Sequence, residues 1–428
     1  MISKEKWAEI MKDFQEKKMP SIILRDQVIK LERDMKRAVS IIGPRRAGKT
    51  YEMFFLITQI REKHGLDKAV YINFERADLG NVSSDDLVIM LETYYELHPQ
   101  NKDKKIWLFL DEIQNVAGWE RFVRSCLDEG IAVFLSGSSS KLLSKEIATS
   151  MRGRNISYNM YPFSFKEYLS AKRFEIEKFY SSGEKATLSK LFEEYLVSGG
   201  YPETAIYSEE KDKIIKDIYD TTIYKDVIER GKIRNTKALK TLMSALLNAK
   251  EFSIHKFYNF TKSQGIKISK NLLYKYIDLL NDAFFVFLLR KHSLSYKKSE
   301  QSLPKVYFID NGLLTLNGID DKGRLLENLV FLELIRRDKD IAYYQNSLKE
   351  EVDFVVKEGK KVTQLIQICY DAENFMTRDR ELRILIKASD EFKCKELVLL
   401  TMHEEKEEKI SGKTIQVKPV SKWLLEEY

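Results

Sequence analysis

Short apolar runs alternate with helical stretches through the first third of the chain. Residues 39–42, 69–74, 106–110 and 131–135 are almost wholly apolar, which is typical of strands buried on both faces of a sheet. Residues 51–60 follow the first run with helical spacing. This alternation predicts an α/β domain built on a parallel sheet.

Helical spacing dominates the middle of the chain. Helices are predicted over residues 189–197 and 211–229, and Gly199-Gly200-Tyr201-Pro202 breaks the pattern between them. Three shorter helices and two strands follow, in the order found in a winged helix. Their predicted bounds are residues 236–247, 253–261 and 269–280 for the helices, and 284–289 and 305–309 for the strands.

The C-terminal quarter returns to an α/β pattern. An amphipathic helix is predicted over residues 323–337, and apolar strands are predicted over 341–345, 351–356 and 364–369. The chain therefore contains a second region in which a sheet and a helix pack together.

Composition narrows the class of protein. With 428 residues, 43% of them hydrophobic and 32% charged, the chain is expected to form about two or three globular domains. No apolar run reaches about 18 residues and the N-terminus lacks a secretory signal, so we expect no membrane partner and a cytoplasmic location. The 3 cysteines and 5 histidines are scattered, which argues against a zinc framework.

The positive charge is concentrated in the middle of the chain. Residues 225–298 contain 16 Lys or Arg against 5 Asp or Glu. Such a segment favours DNA as a partner, and a lysine-rich solvated surface is the alternative. On the third helix of the winged-helix pattern, the candidate contacts are Lys270, Tyr274, Lys275 and Tyr276.

A glycine-rich loop follows the first apolar run. Residues 43–50 read Gly-Pro-Arg-Arg-Ala-Gly-Lys-Thr, which matches the phosphate-binding pattern G-x-x-x-x-G-K-[ST]. The glycines let backbone amides approach phosphate oxygens, Lys49 is expected to reach the β- and γ-phosphates, and Thr50 to bind Mg²⁺. The candidate nucleotide-binding residues are Gly43, Pro44, Arg45, Arg46, Ala47, Gly48, Lys49, Thr50 and Tyr51.

Two acidic residues end the third apolar run. In a parallel sheet, Asp111 and Glu112 lie at the carboxyl edge, where ligands bind. Asp111 is predicted to hold Mg²⁺, and Glu112 is predicted to act beside Lys49 as a catalytic residue that orients the attacking water. A helix N-cap is the alternative interpretation of this pair.

Polar residues after the fourth run supply further catalytic candidates. Ser136 and Ser138 are predicted to form a loop tip that senses the γ-phosphate, and an ordinary loop is the alternative. Arg152 and Arg154 are candidates for an arginine finger, acting in the same chain or on a neighbouring subunit, or for plain surface arginines.

These motifs resemble those of the archaeal and bacterial AAA-like ATPases with a C-terminal DUF4143 or related nuclease-like module. The resemblance covers nearly the whole chain and implies ATP and Mg²⁺ as cofactors. In chain order, the shared motifs are residues 43–50, Leu-Asp-Glu-Ile-Gln at 110–114 with Trp119, Ser-Gly-Ser-Ser at 136–139, Arg-Gly-Arg at 152–154, and Ser-Gly-Gly-Tyr-Pro-Glu at 198–203.

The resemblance also implies the domain order. It predicts an AAA+-type αβα P-loop core over residues 1–165, a helical lid over 166–230, a winged helix over 231–315, and over 316–428 a C-terminal α/β domain similar to the restriction-endonuclease (PD-(D/E)XK) fold.

In that last domain, the resemblance points to a second candidate metal site. It places Asp353 and Gln367 on neighbouring strands and Glu327 on the preceding helix as Mg²⁺ ligands. The related fold has Asp followed by Glu-x-Lys or Gln-x-Lys, whereas Gln367-x-Cys369 lacks the lysine. We therefore expect a degenerate domain that binds without cleaving.

Three functions are compatible with the sequence. The leading one is an ATP-hydrolysing machine that acts on DNA. The alternatives are a nucleotide-dependent switch with a protein client and an ATP-gated nuclease. An arginine finger that acts between subunits would make the protein a homo-oligomer.

Overall fold

The computed structural model describes residues 1–31, 36–138, 151–293 and 295–426. These residues form two compact units, Met1–Tyr161 and Pro162–Tyr428.

A five-stranded sheet forms the centre of the first unit. All its strands are parallel, in the order β2-β3-β4-β1-β5. The four predicted apolar runs correspond to β1–β4, whereas the more polar β5 was not predicted. The strands are β1 (Ala38–Ile42), β2 (Ala69–Asn73), β3 (Trp107–Asp111), β4 (Ala132–Gly137) and β5 (Asn155–Asn159).

Helices cover both faces of this sheet and bury its apolar strands. The rings of Phe14 and Phe54 pack around Tyr71 of β2, with the Phe14 and Tyr71 centroids 4.5 Å apart. The AAA+-type αβα core predicted for this part of the chain is confirmed. Its helices are α1 (Lys4–Glu16), α2 (Lys49–His64), α3 (Ser84–Leu97) and α4 (Trp119–Asp128).

The second unit begins with helices. The long helix predicted over residues 211–229 changes to a π-helix at Thr222–Glu229. The bounds of the α-helices are α5 (Phe165–Ala171), α6 (Ser182–Ser198), α7 (Pro202–Ile206) and α8 (Lys211–Thr221).

Three helices and an antiparallel strand pair follow, in the predicted order. Glu251 adds an isolated antiparallel bridge to Lys305, which extends the pair by one short segment. The assignment of these elements as a winged helix stays a prediction. They are α9 (Thr236–Asn248), α10 (Ile254–Ser263), α11 (Lys270–Asp282), β6 (Val286–Leu289), α12 (Tyr296–Glu300) and β7 (Lys305–Phe308).

The C-terminal α/β region contains a six-stranded mixed sheet. The order is β12-β13-β11-β10-β9-β8, and β11 is parallel to both β10 and β13. Its helices are α13 (Asn311–Leu316), α14 (Lys322–Arg336), α15 (Phe375–Phe392) and α16 (Val420–Trp423). Its strands are β8 (Asp340–Gln345), β9 (Glu351–Glu358), β10 (Lys361–Cys369), β11 (Glu396–Thr401), β12 (Lys406–Ile410) and β13 (Lys413–Pro419). Among the described residues of the whole chain, no helix has the length and apolar character to cross a bilayer.

Candidate active site

The loop between β1 and α2 bends as its glycines predict. Arg46 and Gly48 have positive φ angles of 59° and 100°, and α2 begins directly afterwards at Lys49. Gly43 has no room for a side chain, because a Cβ atom there would lie 1.9 Å from the carbonyl oxygen of Met160. The unpaired amides of the first turn of α2 therefore face a closely wrapped loop, which is the arrangement that binds phosphate.

Lys49 is buried at the base of this loop. Its ammonium donates to the carbonyl oxygens of Gly43, at 3.1 Å, and Pro44, at 3.0 Å. It also lies 3.7 Å from a carboxylate oxygen of Glu112. A phosphate in the loop offers this ammonium a stronger, charged hydrogen-bond partner than two neutral carbonyl groups.

The other residues of the phosphate loop differ in how far their side chains are exposed. Pro44 and Ala47 are buried, whereas Arg46 and Tyr51 are exposed. Arg45 forms an ion pair with Glu75 at 2.8 Å. The side chains of Arg45, Arg46 and Tyr51 are therefore at the border of the loop and not in its base.

Asp111 ends β3 beside the loop and accepts hydrogen bonds from three hydroxyl groups. Thr50 and Tyr71 donate to one carboxylate oxygen, at 2.8 Å and 2.7 Å, and Ser136 donates to the other. Burial raises the pKa of Asp111, although the hydrogen bonds lower it in part. Thr50 and Asp111 are oxygen donors in direct contact next to the phosphate loop, so this pair fits Mg²⁺.

Glu112 turns away from the strand that Asp111 ends. Its φ angle of 55° lies in the left-handed region, which is unusual for a residue other than glycine and is common at functional sites. The turn brings one carboxylate oxygen close to Lys49, while the side chain of Gln114 donates to the other. Glu112 therefore lies at the loop, as its predicted role with water requires.

The predicted serine loop begins later than expected. β4 extends through Gly137, so Ser136 is a buried strand residue, and its prediction as part of a loop tip was wrong. Its hydroxyl donates to Asp111 and accepts the backbone N–H of Glu112 at 3.0 Å, so it positions both acidic residues. Ser138 is buried at the end of the described segment, and Ser139, the last residue of the motif, lies outside the described residues.

Arg152 and Arg154 lie at the opposite edge of the sheet. β5 runs parallel to β1 with Asn155 opposite Ala38, so the residues before β5 lie at the amino ends of the strands. With about 3.3 Å per strand residue over the five steps from Ala38 to Gly43, that edge is roughly 16 Å from the phosphate loop. Arg154 pairs there with Asp128 at 2.5 Å, and Arg152 is exposed. A finger acting on the same chain's loop does not fit this placement, and action on a second copy stays a prediction.

Two residues at the site were not predicted from the sequence. Tyr71 lies within an apolar strand, where a buried hydroxyl needs a partner, and this signal points to a polar neighbour such as Asp111. Arg25 donates to the carbonyl oxygens of Ala47, at 2.8 Å, and Tyr161, at 2.6 Å. No motif surrounds Arg25, so its support of the phosphate loop could not be inferred.

A second polar cluster lies in the C-terminal region, where a cavity of about 850 Å³ contains Glu327, Asp353 and Gln367. Lys305 of β7 brings a positive charge into this cluster. Its buried ammonium contacts the carboxylates of Glu327 at 2.7 Å, Glu351 at 2.6 Å and Asp353 at 3.1 Å. The signal in the sequence was a lysine at the start of a strand that is otherwise apolar.

The electrostatics of this cluster depend on Lys305. Burial raises the pKa of Asp353. Burial also acts to raise the pKa of Glu327, but the neighbouring ammonium outweighs it and holds this pKa below its usual range. The carboxylates stay close together because a positive charge lies between them.

The C-terminal residues, as they are placed, do not fit a metal ion. The Lys305 ammonium occupies the point on which Glu327 and Asp353 converge. Gln367 donates to Glu381 at 2.6 Å and accepts the backbone N–H of Asp353 at 3.1 Å. In the part of the chain that the structure describes, no three His, Cys, Asp or Glu side chains are arranged to hold a metal ion. These contacts give no support to the predicted second metal site.

Three protein-family models match successive parts of this chain. Residues 35–169 match the family described as AAA domain. Residues 189–323 and 322–423 match two domains of unknown function, DUF8612 and DUF4143.

Similar proteins span nearly the whole chain. An uncharacterized protein of Methanocaldococcus jannaschii is 40% identical over 95% of this chain and 92% of its own length. An uncharacterized protein of Haemophilus influenzae is 29% identical over 90% of this chain and 94% of its own. Among solved structures, the Aeropyrum pernix ORC1 protein in complex with DNA is 11% identical, with a TM-score of 0.33, over 66% of this chain and 87% of that chain. The protein thus belongs to the same family as the Methanocaldococcus jannaschii protein, and it is an AAA-type nucleotide-binding protein with a C-terminal DUF4143 region.

Proposed function

We propose that this protein hydrolyses ATP with Mg²⁺ and couples the reaction to DNA binding. The observation that carries the ATPase proposal is the convergence of Lys49, Thr50, Asp111 and Glu112 at one edge of the sheet. The hydroxyl of Thr50 lies 2.8 Å from the Asp111 carboxylate, and Glu112 lies 3.7 Å from the Lys49 ammonium. These are the side chains that phosphoryl transfer to water requires, within reach of one phosphate chain.

The roles follow from the contacts. Backbone amides of the loop and the Lys49 ammonium bind phosphate oxygens, and Thr50 and Asp111 hold Mg²⁺. When bound, Mg²⁺ neutralises charge on the phosphates. Glu112 accepts a hydrogen bond from the attacking water, and its backbone turn and Gln114 fix the direction of its carboxylate.

DNA coupling is supported by the basic segment at 225–298. On α11, Tyr274 and Lys275 are exposed, and the half-buried Lys270 lies 5.3 Å from the ring centroid of Tyr258 on α10. Tyr276, also a candidate contact, is instead buried in the core of the segment, so that prediction was wrong. Cations and aromatic side chains on one segment suit a sugar-phosphate backbone, and their binding to it depends on salt.

The experiment that tests the proposal measures ATP hydrolysis with no DNA and with duplex, single-stranded and branched DNA, at low and high salt. We expect stimulation that fades as salt rises, because phosphate contacts release counterions. Lys49→Ala should abolish ATP binding and hydrolysis, whereas Lys12→Ala, a change on the exposed face of α1, should leave both intact.

The other outcomes separate the alternative functions. Unaltered ATP affinity in Lys49→Ala would contradict the phosphate-loop assignment. Tight nucleotide binding with slow turnover and no effect of any DNA would favour a switch with a protein client. Metal-dependent DNA cleavage that is lost in Asp353→Ala would favour an ATP-gated nuclease over the binding-only C-terminal domain proposed here.

A further inference from the structure

A cavity of about 570 Å³ lies at the amino edge of the sheet in the first unit. Its walls come from the segments that precede β1, β3 and β4, with Tyr95 of α3 beside them. The nucleotide site lies at the carboxyl edge of the same sheet, so the two sites are separate. We call this concavity the amino-edge cavity.

Positive charge dominates the amino-edge cavity. Six of its lining residues are basic and two, Asp103 and Glu129, are acidic. Among the described residues, none of the six basic groups forms an ion pair with a carboxylate. Lys36 donates to the backbone carbonyl of Asp128 at 3.3 Å, and Lys105 lies 5.4 Å from the ring centroid of Trp107. The basic residues are Lys30, Lys36, Arg37, Lys102, Lys104 and Lys105.

The lining does not resemble a surface that binds another protein. Protein interfaces are depleted in lysine and are built around exposed aromatic or aliphatic anchors. Here the apolar lining residues Leu127, Ile131 and Phe134 are buried, and Tyr95 is only half-exposed. The exposed groups are mainly ammonium and guanidinium groups, which neutralise phosphates and release counterions.

We propose that the amino-edge cavity binds the sugar-phosphate backbone of a nucleic acid, independently of sequence. The inference rests on the proposed coupling to DNA and extends it, since the ATPase unit then contacts the nucleic acid directly in addition to α11. Lysines on neighbouring segments follow a chain of phosphates better than they enclose one small anion, and they read no base edges.

Binding of a fluorescent DNA duplex, followed by anisotropy over a range of salt concentrations, tests this proposal. The informative variant is Lys102→Glu with Lys104→Glu, because both side chains are exposed and Lys105 is kept against Trp107. We expect the affinity to fall at least about tenfold, and the slope of log affinity against log salt to shrink by about 2. The matched control, Lys12→Glu with Lys18→Glu on the exposed side of the N-terminal segment, changes the net charge equally and should bind like the unaltered protein.

A second pair of substitutions, Lys270→Glu with Lys275→Glu on α11, separates this inference from the proposed function. If the α11 pair weakens binding and the amino-edge pair behaves like its control, the inference is wrong and the proposed function stands. If only the amino-edge pair weakens binding, the inference holds and the route through α11 is wrong. If the protein without substitutions binds no DNA, both the inference and the proposed DNA coupling are wrong.

Sedimentation of the DNA-free protein tests whether a second copy of the chain occupies the cavity instead. If the amino-edge pair changes the molar mass at high protein concentration, the cavity is an interface between copies of the chain and the proposal is overturned. An unchanged melting temperature shows that the variants are folded, so that weak binding reflects the surface.

Discussion

At the scale of single residues, Asp111 and Glu112 have different surroundings although they share a peptide bond. Asp111 is buried under hydroxyl groups from Thr50, Tyr71 and Ser136, and it cannot move without breaking these hydrogen bonds. Glu112 leaves the strand through a left-handed residue and lies near the Lys49 ammonium. The first arrangement suits a fixed metal ligand, and the second suits a group that acts on water.

We therefore expect Glu112→Gln to bind ATP normally and to hydrolyse it at least about a hundredfold more slowly, since general-base groups typically contribute about that factor or more. The amide keeps the shape of the side chain and removes only the charge that polarises water. ATP affinity measured by titration and turnover under saturating ATP check the two halves separately. Wild-type turnover would remove Glu112 from the catalytic role.

The charged residues of the nucleotide site could be predicted because they lie in short continuous motifs. Residues 43–50 and the pair at 111–112 each form a continuous motif with a physical meaning. The supporting contacts could not be predicted, because Tyr71, Ser136 and Arg25 reach the site through pairing of distant segments. Ser136 was assigned to a loop because polar residues follow it, although β4 continues through it.

At the scale of elements, β7 contacts both α14 and β9 through the buried ammonium group of Lys305. Lys305 neutralises carboxylates on α14 and β9, so its loss leaves the buried Asp353 beside the half-buried Glu327 and Glu351 with no compensating charge. Removing one partner of a buried ionic group usually costs more than the group contributed to stability. The sequence could place these acids on adjacent elements, but it could not identify a lysine contributed by an earlier hairpin.

Lys305→Met should lower the free energy of unfolding by about 3–5 kcal/mol, because it leaves uncompensated buried charge. Chemical denaturation at neutral pH measures this loss. The control Lys357→Met removes a partly exposed pair with Asp340, at 3.0 Å, and should change stability little. Equal effects of the two substitutions would show that the cluster has no special structural role.

The turn between α6 and α7 is a second element-level constraint. Asp310 explains the first of its two glycines, and at Gly200 a Cβ atom would lie 2.3 Å from the carbonyl oxygen of Phe163. The backbone N–H of Gly200 donates to the Asp310 carboxylate at 2.7 Å. Gly199 has a φ angle of 74°, and a Cβ atom there would lie 1.8 Å from the same carboxylate. Burial raises the pKa of Asp310 to about 7. The Ser-Gly-Gly-Tyr-Pro motif is thus a packing requirement in this structure.

Gly199→Ala should therefore destabilise the protein by about 2 kcal/mol or more, through the left-handed backbone and the clash with Asp310. Gly183→Ala is the matched control, because no atom lies within 4 Å of the added Cβ and the position is helical, where alanine is favoured. Thermal unfolding of both variants checks the expectation. A Gly199→Ala protein as stable as the control would contradict this explanation of the motif.

At the scale of the whole molecule, the order of the α/β and helical regions could be predicted from the spacing of apolar residues along the chain. The apolar β1–β4 and the amphipathic α9–α11 were predicted within a few residues. β5 was missed because its half-buried, polar residues at the sheet edge carry no apolar run. How ATP affects the remainder of the chain is not encoded in any local pattern, so it must be measured as a coupling between two ligands.

That coupling can be measured with two variants that hold the nucleotide site in opposite states. With ATP present, Glu112→Gln is expected to retain ATP, whereas Lys49→Ala is expected to stay free of it. If DNA stimulates turnover by favouring the ATP-bound state, reciprocity requires ATP to favour the DNA-bound state. We therefore expect Glu112→Gln to bind duplex DNA at least about fivefold more tightly than Lys49→Ala when ATP is present, and equally when it is absent. Equal affinities with ATP would mean that the two sites are not coupled, because only differential binding can shift a conformational equilibrium. That result would favour control of a protein client by the ATP site.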